Sequence, residues 1–394
     1  MAIARSLHRQ GVPVDVASFV PAMATRSRAI RDFRTVPRPE LDPAGFVSQL
    51  RDLIRQGGPD LLIPADDQAV VALTEHYREF KNVTQIASPP PEITDLVLDK
   101  SSTLNVAREC GISVPKTTLI SNSVQLPELS STFPFPWVLK PARKELTVEE
   151  IKSFRVAIPA EVVARFPSPR EFSPPMLLQE YCEGAGVGVE LLMHEGECRA
   201  AFQHRRLEEV PHTGGVSVTA VAEPLDPVLF EKSLDLLRAL RWEGPAMVEF
   251  KVNPRDGSAV LMEVNGRYWG TISLPILAGI DFPLYHWQLL HGVAPGVPRQ
   301  YAIGTKWKWT AGHVWRLHGL LIAARRSRSA RQELLRSYSR GSALFDPSVP
   351  DPLFSTSDPM PAVFDLVHIV KHLSAYDAKA LWGRLSRAWS RSDN

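Results

Sequence analysis

The segment Ala246-Met-Val-Glu-Phe-Lys-Val-Asn-Pro-Arg-Asp-Gly-Ser-Ala-Val-Leu-Met-Glu-Val-Asn-Gly266 constrains this chain more than any other. It reads as two strands joined by a turn rich in Asn, Pro, Asp and Gly. Folding about Asp256 sets Glu249 opposite Glu263. Val248, Phe250 and Val252 then share an apolar face with Val260, Met262 and Val264, and that face needs a core. The opposite face carries Glu249, Glu263 and Asn265. Like charges directly opposite on a sheet are destabilising. Two carboxylates and an amide oxygen become favourable around a hard divalent cation, and such a set suits Mg²⁺ shared with substrate phosphates. The simpler alternative is a solvated hairpin face with two unrelated acids.

The rest of the composition narrows the class. The chain has 394 residues, enough for two or three domains or subdomains. Hydrophobic residues make up 44% and charged residues 22%, which permits a sizeable core and argues against global disorder. A net charge of +2 gives no electrostatic case for nucleic-acid binding. Cys110, Cys182 and Cys198 are odd in number and lack metal-ligand spacing, so they read as reduced thiols of a cytoplasmic protein. No apolar run is long enough for a membrane span, and the N-terminus has no signal-peptide pattern.

The N-terminal region alternates helices and short apolar strands. Residues 2–10 read as a helix ended by Gly11, Val12, Val14 and Val16 as a strand, residues 43–56 as a helix, Leu61–Ile63 as a buried strand and residues 68–80 as a helix. This alternation predicts an α/β layer with a parallel sheet over 1–113. The strand that would open such a layer is missing ahead of Met1, so the domain reads as truncated or late-started. A helix over 94–110 follows, with Asp99-Lys100 inside it. Phe135–Pro141 reads as a strand ending on Lys140, and Met176–Cys182 as another, with 142–173 unassigned between them. Val187–Met193 and Cys198–His204 form a hairpin about His194–Glu197. Asp226-Pro227 opens a helix through Leu240, and 278–292 is helical. From about 300 the chain turns basic, with Trp307, Trp309 and Trp315 ahead of Arg325, Arg326, Arg328, Arg331, Arg336 and Arg340, then proline-rich, with a last helix from Ala362.

Four signals occur in order: Asp99-Lys100, Val138-Leu-Lys-Pro141, Leu177-Leu-Gln-Glu-Tyr181 followed by Cys182-Glu-Gly, and Glu249 with Leu261-Met-Glu-Val-Asn-Gly-Arg267. Each is weak alone. As a set they resemble the ATP-grasp superfamily, and most closely its bacterial proteins similar to the carbamoyl-phosphate synthase large subunit, of the carboxylate–amine ligase type. The resemblance covers about residues 1–300. It implies an N-terminal parallel-sheet domain over 1–113 followed by a two-lobed, α+β ATP-binding body. The small lobe spans 114–183, the large lobe with the metal site spans 184–300, and 301–394 is a helical, basic extension.

By that resemblance Lys100 and Lys140 hold ATP phosphates, and Glu180, Tyr181 and Cys182 form the adenine hinge. Glu183 or Glu190 contacts the ribose, and Glu249, Glu263 and Asn265 bind Mg²⁺, with Mn²⁺ as the alternative ion. Arg267, with Arg205 or Arg206, faces the transferred group, and Gly214-Gly215 lines the substrate side. Phosphoryl transfer needs positioning and charge neutralisation more than covalent chemistry, which suits these residue types. The implied reaction joins a small-molecule carboxylate to an amine or related nucleophile through an acyl phosphate. A non-catalytic ATP-binding module and a hydroxyl phosphotransferase are the alternatives, and a homodimer is an open option. One departure is the lack of glycine after Lys140, where many relatives have a flexible lid. His204 and His212 beside the substrate loop read equally as bases or as structural residues. The basic stretch 325–340 reads most simply as a solvated helix face.

Overall fold

The computed structural model describes residues 1–20, 23–130, 133, 135–145, 154–156, 161, 166, 168–211, 214–325, 328–338 and 343–371. His212, Arg326, Arg340 and most of the unassigned stretch between Lys144 and Arg170 lie outside them. Contacts divide the chain into two compact units, 36–205 with 222–303, and 1–35 with 206–221 and 304–394.

The larger unit is built on the acid-bearing hairpin. Strands Gly244–Val252 and Ala259–Asn265 pair antiparallel, and Glu249 does face Glu263 across them. Gly244–Val252 pairs on its other edge with Ala185–His194, which pairs in turn with Glu197–Val210. One face of this sheet supplies Val187, Val189, Leu191, Ala246, Val248, Phe250, Leu261 and Val264 to a core. Leu104 and Ala107 of helix Lys100–Glu109 and Leu234 and Leu237 of helix Pro227–Ala239 close it. Burying each large aliphatic or aromatic side chain contributes about 1.5–3 kcal/mol, which fixes the face and therefore the register. Asp226 caps the second helix through its carboxylate, which accepts from Val228 and Leu229 N–H.

A second, four-stranded antiparallel sheet has the order Thr117–Asn122, Glu171–Glu180, Trp137–Pro141, Phe154–Val156. Ile120, Leu126, Trp137, Leu139, Met176 and Leu178 form its core. The strand over 171–180 begins five residues before the expected Met176, running through Pro174 and Pro175. The same unit holds a parallel pair, Leu61–Leu62 with Gln85–Ile86, flanked by helices Pro43–Gly57 and Asp67–Glu75.

Two local corrections shape the site. The helix expected over 94–110 is broken at Asp99 into Pro91–Leu98 and Lys100–Glu109. Asp99 leaves helical geometry and its carboxylate accepts from Ser101 N–H at 2.8 Å, capping the second helix and moving Lys100 to a helix start. A β-bulge between Glu249 and Phe250 shifts the hairpin register by one residue. Phe250 therefore pairs with Leu261, and Leu261 rather than Met262 is fully buried.

The smaller unit contains helix Ala2–Arg9, the parallel pair Asp15–Ser18 and Asp32–Thr35, and strand Lys306–Lys308 antiparallel to Thr219–Val221. Helices Thr310–Ala323 and Arg328–Tyr338 follow, and residues 360–371 are helical. Asp358 ties the unit together, accepting from Arg5 Nε at 3.0 Å and Ser27 Oγ at 2.6 Å. Trp307 is buried, and Trp309 Nε1 donates to Asp365 at 2.7 Å, so both have packing roles. Arg325, Arg328, Arg331 and Arg336 are exposed. Among the described residues no helix is long and apolar enough to cross a membrane.

Candidate active site

The polar face of the large sheet carries Glu249 opposite Glu263, with Gly188 and His204 continuing that row across the next two strands. Asn265 stands two residues from Glu263 on the same face and donates from Nδ2 to Glu263 Oε1 at 3.2 Å. Its Oδ1 is turned toward Lys144 Nζ at 3.5 Å. Glu249 is only 8% exposed, and so is Lys140. Lys140 Nζ donates to the carbonyl oxygen of Met262, the residue that the bulge sets out of register.

Three lysines converge on these acids. Lys100 Nζ donates to Pro141 O at 3.1 Å, and its backbone N–H to Ala142 O at 2.9 Å. The helix start at Lys100 is thereby bound to the end of the strand that presents Lys140. Burial lowers the Lys100 amine to about 8, against the pull of Glu263. Lys140 is lowered by the same cause. Burial works to raise Glu263, but Lys144, Lys140 and Lys100 outweigh it and hold the carboxyl down to about 2. Glu263 is thus an anion throughout the physiological range, surrounded by cations.

Arg267 Nε and Nη2 donate to the two carboxylate oxygens of Asp67 at 2.8 and 2.9 Å, and Arg267 Nη1 donates to Tyr268 O at 2.8 Å. Lys144 Nζ donates to the same Asp67 Oδ1 at 2.9 Å. Burial opposes ionisation of Asp67, yet Lys144 and Arg267 hold its carboxyl far below the usual carboxylate range.

Residues 172–311 match a family model described as ATP-grasp in the biosynthetic pathway with Ter operon. The chain has the fold of the ATP-grasp superfamily. Among solved structures it is similar to N5-carboxyaminoimidazole ribonucleotide synthetase in its ADP complex, at 13% identity and TM-score 0.64, covering 82% of each chain. It is also similar to L-amino acid ligase from Bacillus licheniformis, at 16% identity and TM-score 0.59, over 73% of this chain and 70% of that one. Biotin carboxylase from Campylobacter jejuni matches at 14% identity and TM-score 0.59, over 77% and 71%. No curated protein matches the chain in sequence.

Within this ATP-grasp fold, the residues expected at the hinge end the strand over 171–180. Glu180 accepts from Lys116 N–H at 2.8 Å, so its carboxylate braces the neighbouring strand start. Tyr181 N–H donates to Pro136 O at 3.1 Å. The Cys182 thiol is pushed up by burial and stays protonated. Glu183 is exposed, whereas Glu190 is fully buried and accepts from His204 Nδ1 at 2.5 Å. Arg205 pairs with Glu223 at 2.5 Å. Arg206, in the smaller unit, donates to Glu209 at 3.1 Å and to Gly215 O at 3.0 Å.

Two polar residues of this site escaped the sequence reading. Lys144 lies four residues beyond Lys140, in Lys140-Pro-Ala-Arg-Lys144, and Asp67 opens a helix after Asp66. Their only local signals are an extra lysine and an acid at a helix start, both commonplace on surfaces. Glu249, Glu263 and Asn265 Oδ1 offer hard oxygen donors. Among the described residues no group of three or more His, Cys, Asp or Glu is gathered to hold an ion unaided. That donor set fits a cation that takes its other ligands from phosphate and water, as Mg²⁺ does.

Proposed function

We propose that this ATP-grasp protein is an ATP- and Mg²⁺-dependent, ADP-forming ligase that activates a small-molecule carboxylate as an acyl phosphate and transfers it to an amine. The observation that carries the reading is the convergence of Lys100, Lys140 and Lys144 on Glu263, which faces Glu249 across the hairpin. An arrangement of three ammonium groups beside two acids suits a triphosphate bound with a divalent ion. The biosynthetic setting in the family description and the ligase among the similar structures agree with it.

In this reading Lys100 and Lys140 hold phosphate oxygens, and the backbone around Glu180, Tyr181 and Cys182 holds the adenine. Glu183 or Glu190 is the ribose contact. Glu249, Glu263 and Asn265 hold Mg²⁺, which when bound neutralises phosphate charge and orients the triphosphate. A carboxylate oxygen of the substrate attacks the γ-phosphorus, and the bond to the ADP oxygen breaks. The amine nitrogen then bonds to the acyl carbon, inorganic phosphate leaves, and the nitrogen loses a proton. Arg267, with Arg205 or Arg206, steadies the oxygens that gain charge.

The test is ADP release by the purified full chain with ATP and Mg²⁺ against panels of carboxylates and amines. The reading requires ADP release that depends on both additions, with an amide product by mass spectrometry. A phosphate ester would make the protein a hydroxyl phosphotransferase, and nucleotide binding without turnover across the panels would favour a non-catalytic module.

A further inference from the structure

Asp67 is the least expected member of the site. Its Oδ1 accepts both from Arg267 Nε at 2.8 Å and from Lys144 Nζ at 2.9 Å, and its Oδ2 accepts from Arg267 Nη2 at 2.9 Å. One carboxylate therefore bridges two cations, with the geometry that a phosphate or acyl-phosphate oxygen pair would offer. The two cations are not held equally. Arg267 is fixed by a two-point fork to Asp67 and by a third bond to Tyr268 O. Lys144 makes one short bond to Asp67, and its contact with Asn265 Oδ1 is stretched to 3.5 Å. Its ammonium sits on a flexible stem and can re-aim, whereas a forked guanidinium cannot without losing two bonds together.

We propose that Asp67 is a positioning residue with two duties. It fixes the plane of Arg267 throughout, and it parks Lys144 until the anionic phosphates of a bound nucleotide take that lysine over. This inference rests on the ATP-binding reading given above. Asp67 is then an internal competitor for Lys144 and an orienting partner for Arg267. Its loss separates two effects that usually move together. The freed Lys144 tightens nucleotide binding, and the loosened Arg267 slows the chemistry.

The experiment is calorimetric titration of the full chain with ADP, with and without Mg²⁺, for wild type, Asp67→Asn and Lys144→Gln. Turnover is measured in parallel with ATP and any acid and amine pair found active. Asp67→Asn is expected to bind ADP about three- to tenfold more tightly, with kcat falling and KM for ATP not rising. Lys144→Gln is expected to bind ADP about tenfold more weakly. Asp67→Glu, which keeps the charge, should return the ADP affinity toward wild type. Unchanged or weaker ADP binding by a folded Asp67→Asn protein would overturn the proposal. If Asp67→Asn does not fold, an unchanged ADP affinity in Lys144→Gln overturns it alone. Wild-type protein that binds no ADP at all would instead remove the ATP-grasp ligand reading on which it stands.

Discussion

Lys140 Nζ donates to the carbonyl oxygen of Met262 at 3.1 Å. The bulge opposite Glu249 and Phe250 puts Met262 out of step with the ladder, and the lysine takes up the carbonyl left there. A buried ammonium is thus anchored by one backbone oxygen, and the charges of Glu263 and Glu249 favour its ionised form against burial. Lys140→Met should keep the strand and lose that anchored charge. We expect ADP affinity to fall about tenfold or more by calorimetry, with the thermal midpoint little changed. Wild-type affinity in this variant would dismiss Lys140 as a phosphate ligand.

Lys144, Lys140 and Lys100 all act on the Glu263 carboxylate. Glu263→Ala should abolish Mg²⁺-dependent ATP turnover while leaving the fold largely intact, since Val264 and Leu261 still carry the core side of the strand. Near-normal turnover would remove the metal assignment. A pH consequence follows. The folded carboxyl lies near 2, below its ordinary 4.5, so its contribution to stability is complete above about pH 4.5 and is lost as pH falls toward 2. Glu263→Gln should flatten that part of the acid unfolding profile, measured by circular dichroism.

Gly266 separates Asn265 from Arg267, and a methyl group there would lie 2.3 Å from the Trp242 ring. Trp242 is 2% exposed and cannot swing away. Gly266→Ala should destabilise the protein by about 1–3 kcal/mol in chemical denaturation. It should also lower turnover by more than that stability loss explains, because the displaced backbone carries both Asn265 and Arg267. A variant of wild-type stability would show that the ring has room to move.

His286 is buried, with Nδ1 3.0 Å from Tyr268 Oη. Burial pushes the Tyr268 phenol up, so it remains the donor and Nδ1 the acceptor. Burial, aided by His194, lowers the imidazole to about 4, and His286 is neutral in the folded protein near pH 7. Its contribution is therefore full above about pH 6.5 and lost as pH falls from there through 4. We expect loss of stability on the order of 3 kcal/mol across that window, removed in His286→Asn. Equal pH slopes for variant and wild type in urea titrations would refute the assignment.

Local rules of the chain were sufficient for several features. The facing of Glu249 and Glu263 follows from strand alternation about an Asn-Pro-Arg-Asp-Gly turn, and the structure has that pair in register. Asp226 as a cap, the turn about Glu195-Gly196 and the strand ending near Lys140 arise from equally short-range chemistry. Two departures from these local rules are also local in cause. Helical neighbours on both sides place Asp99 inside a helix, but its carboxylate accepts from Ser101 N–H and restarts the helix there. Alternation places Met262 in the core because it cannot signal an inserted bulge, and the bulge puts Leu261 there instead.

Sequence by itself determined which residues alternate, which cap and which carry charge, because those preferences act over a few residues of backbone. Tertiary packing alone decided which charges meet. Asp67 and Arg267 are 200 residues apart, and Glu190 comes to His204 only through the pairing of two strands. A carboxylate near a helix start and a lysine beyond a strand carry no mark of their distant partners. Their pairing exists because burying the apolar faces beneath them brings the charges out of water together, where each needs the other.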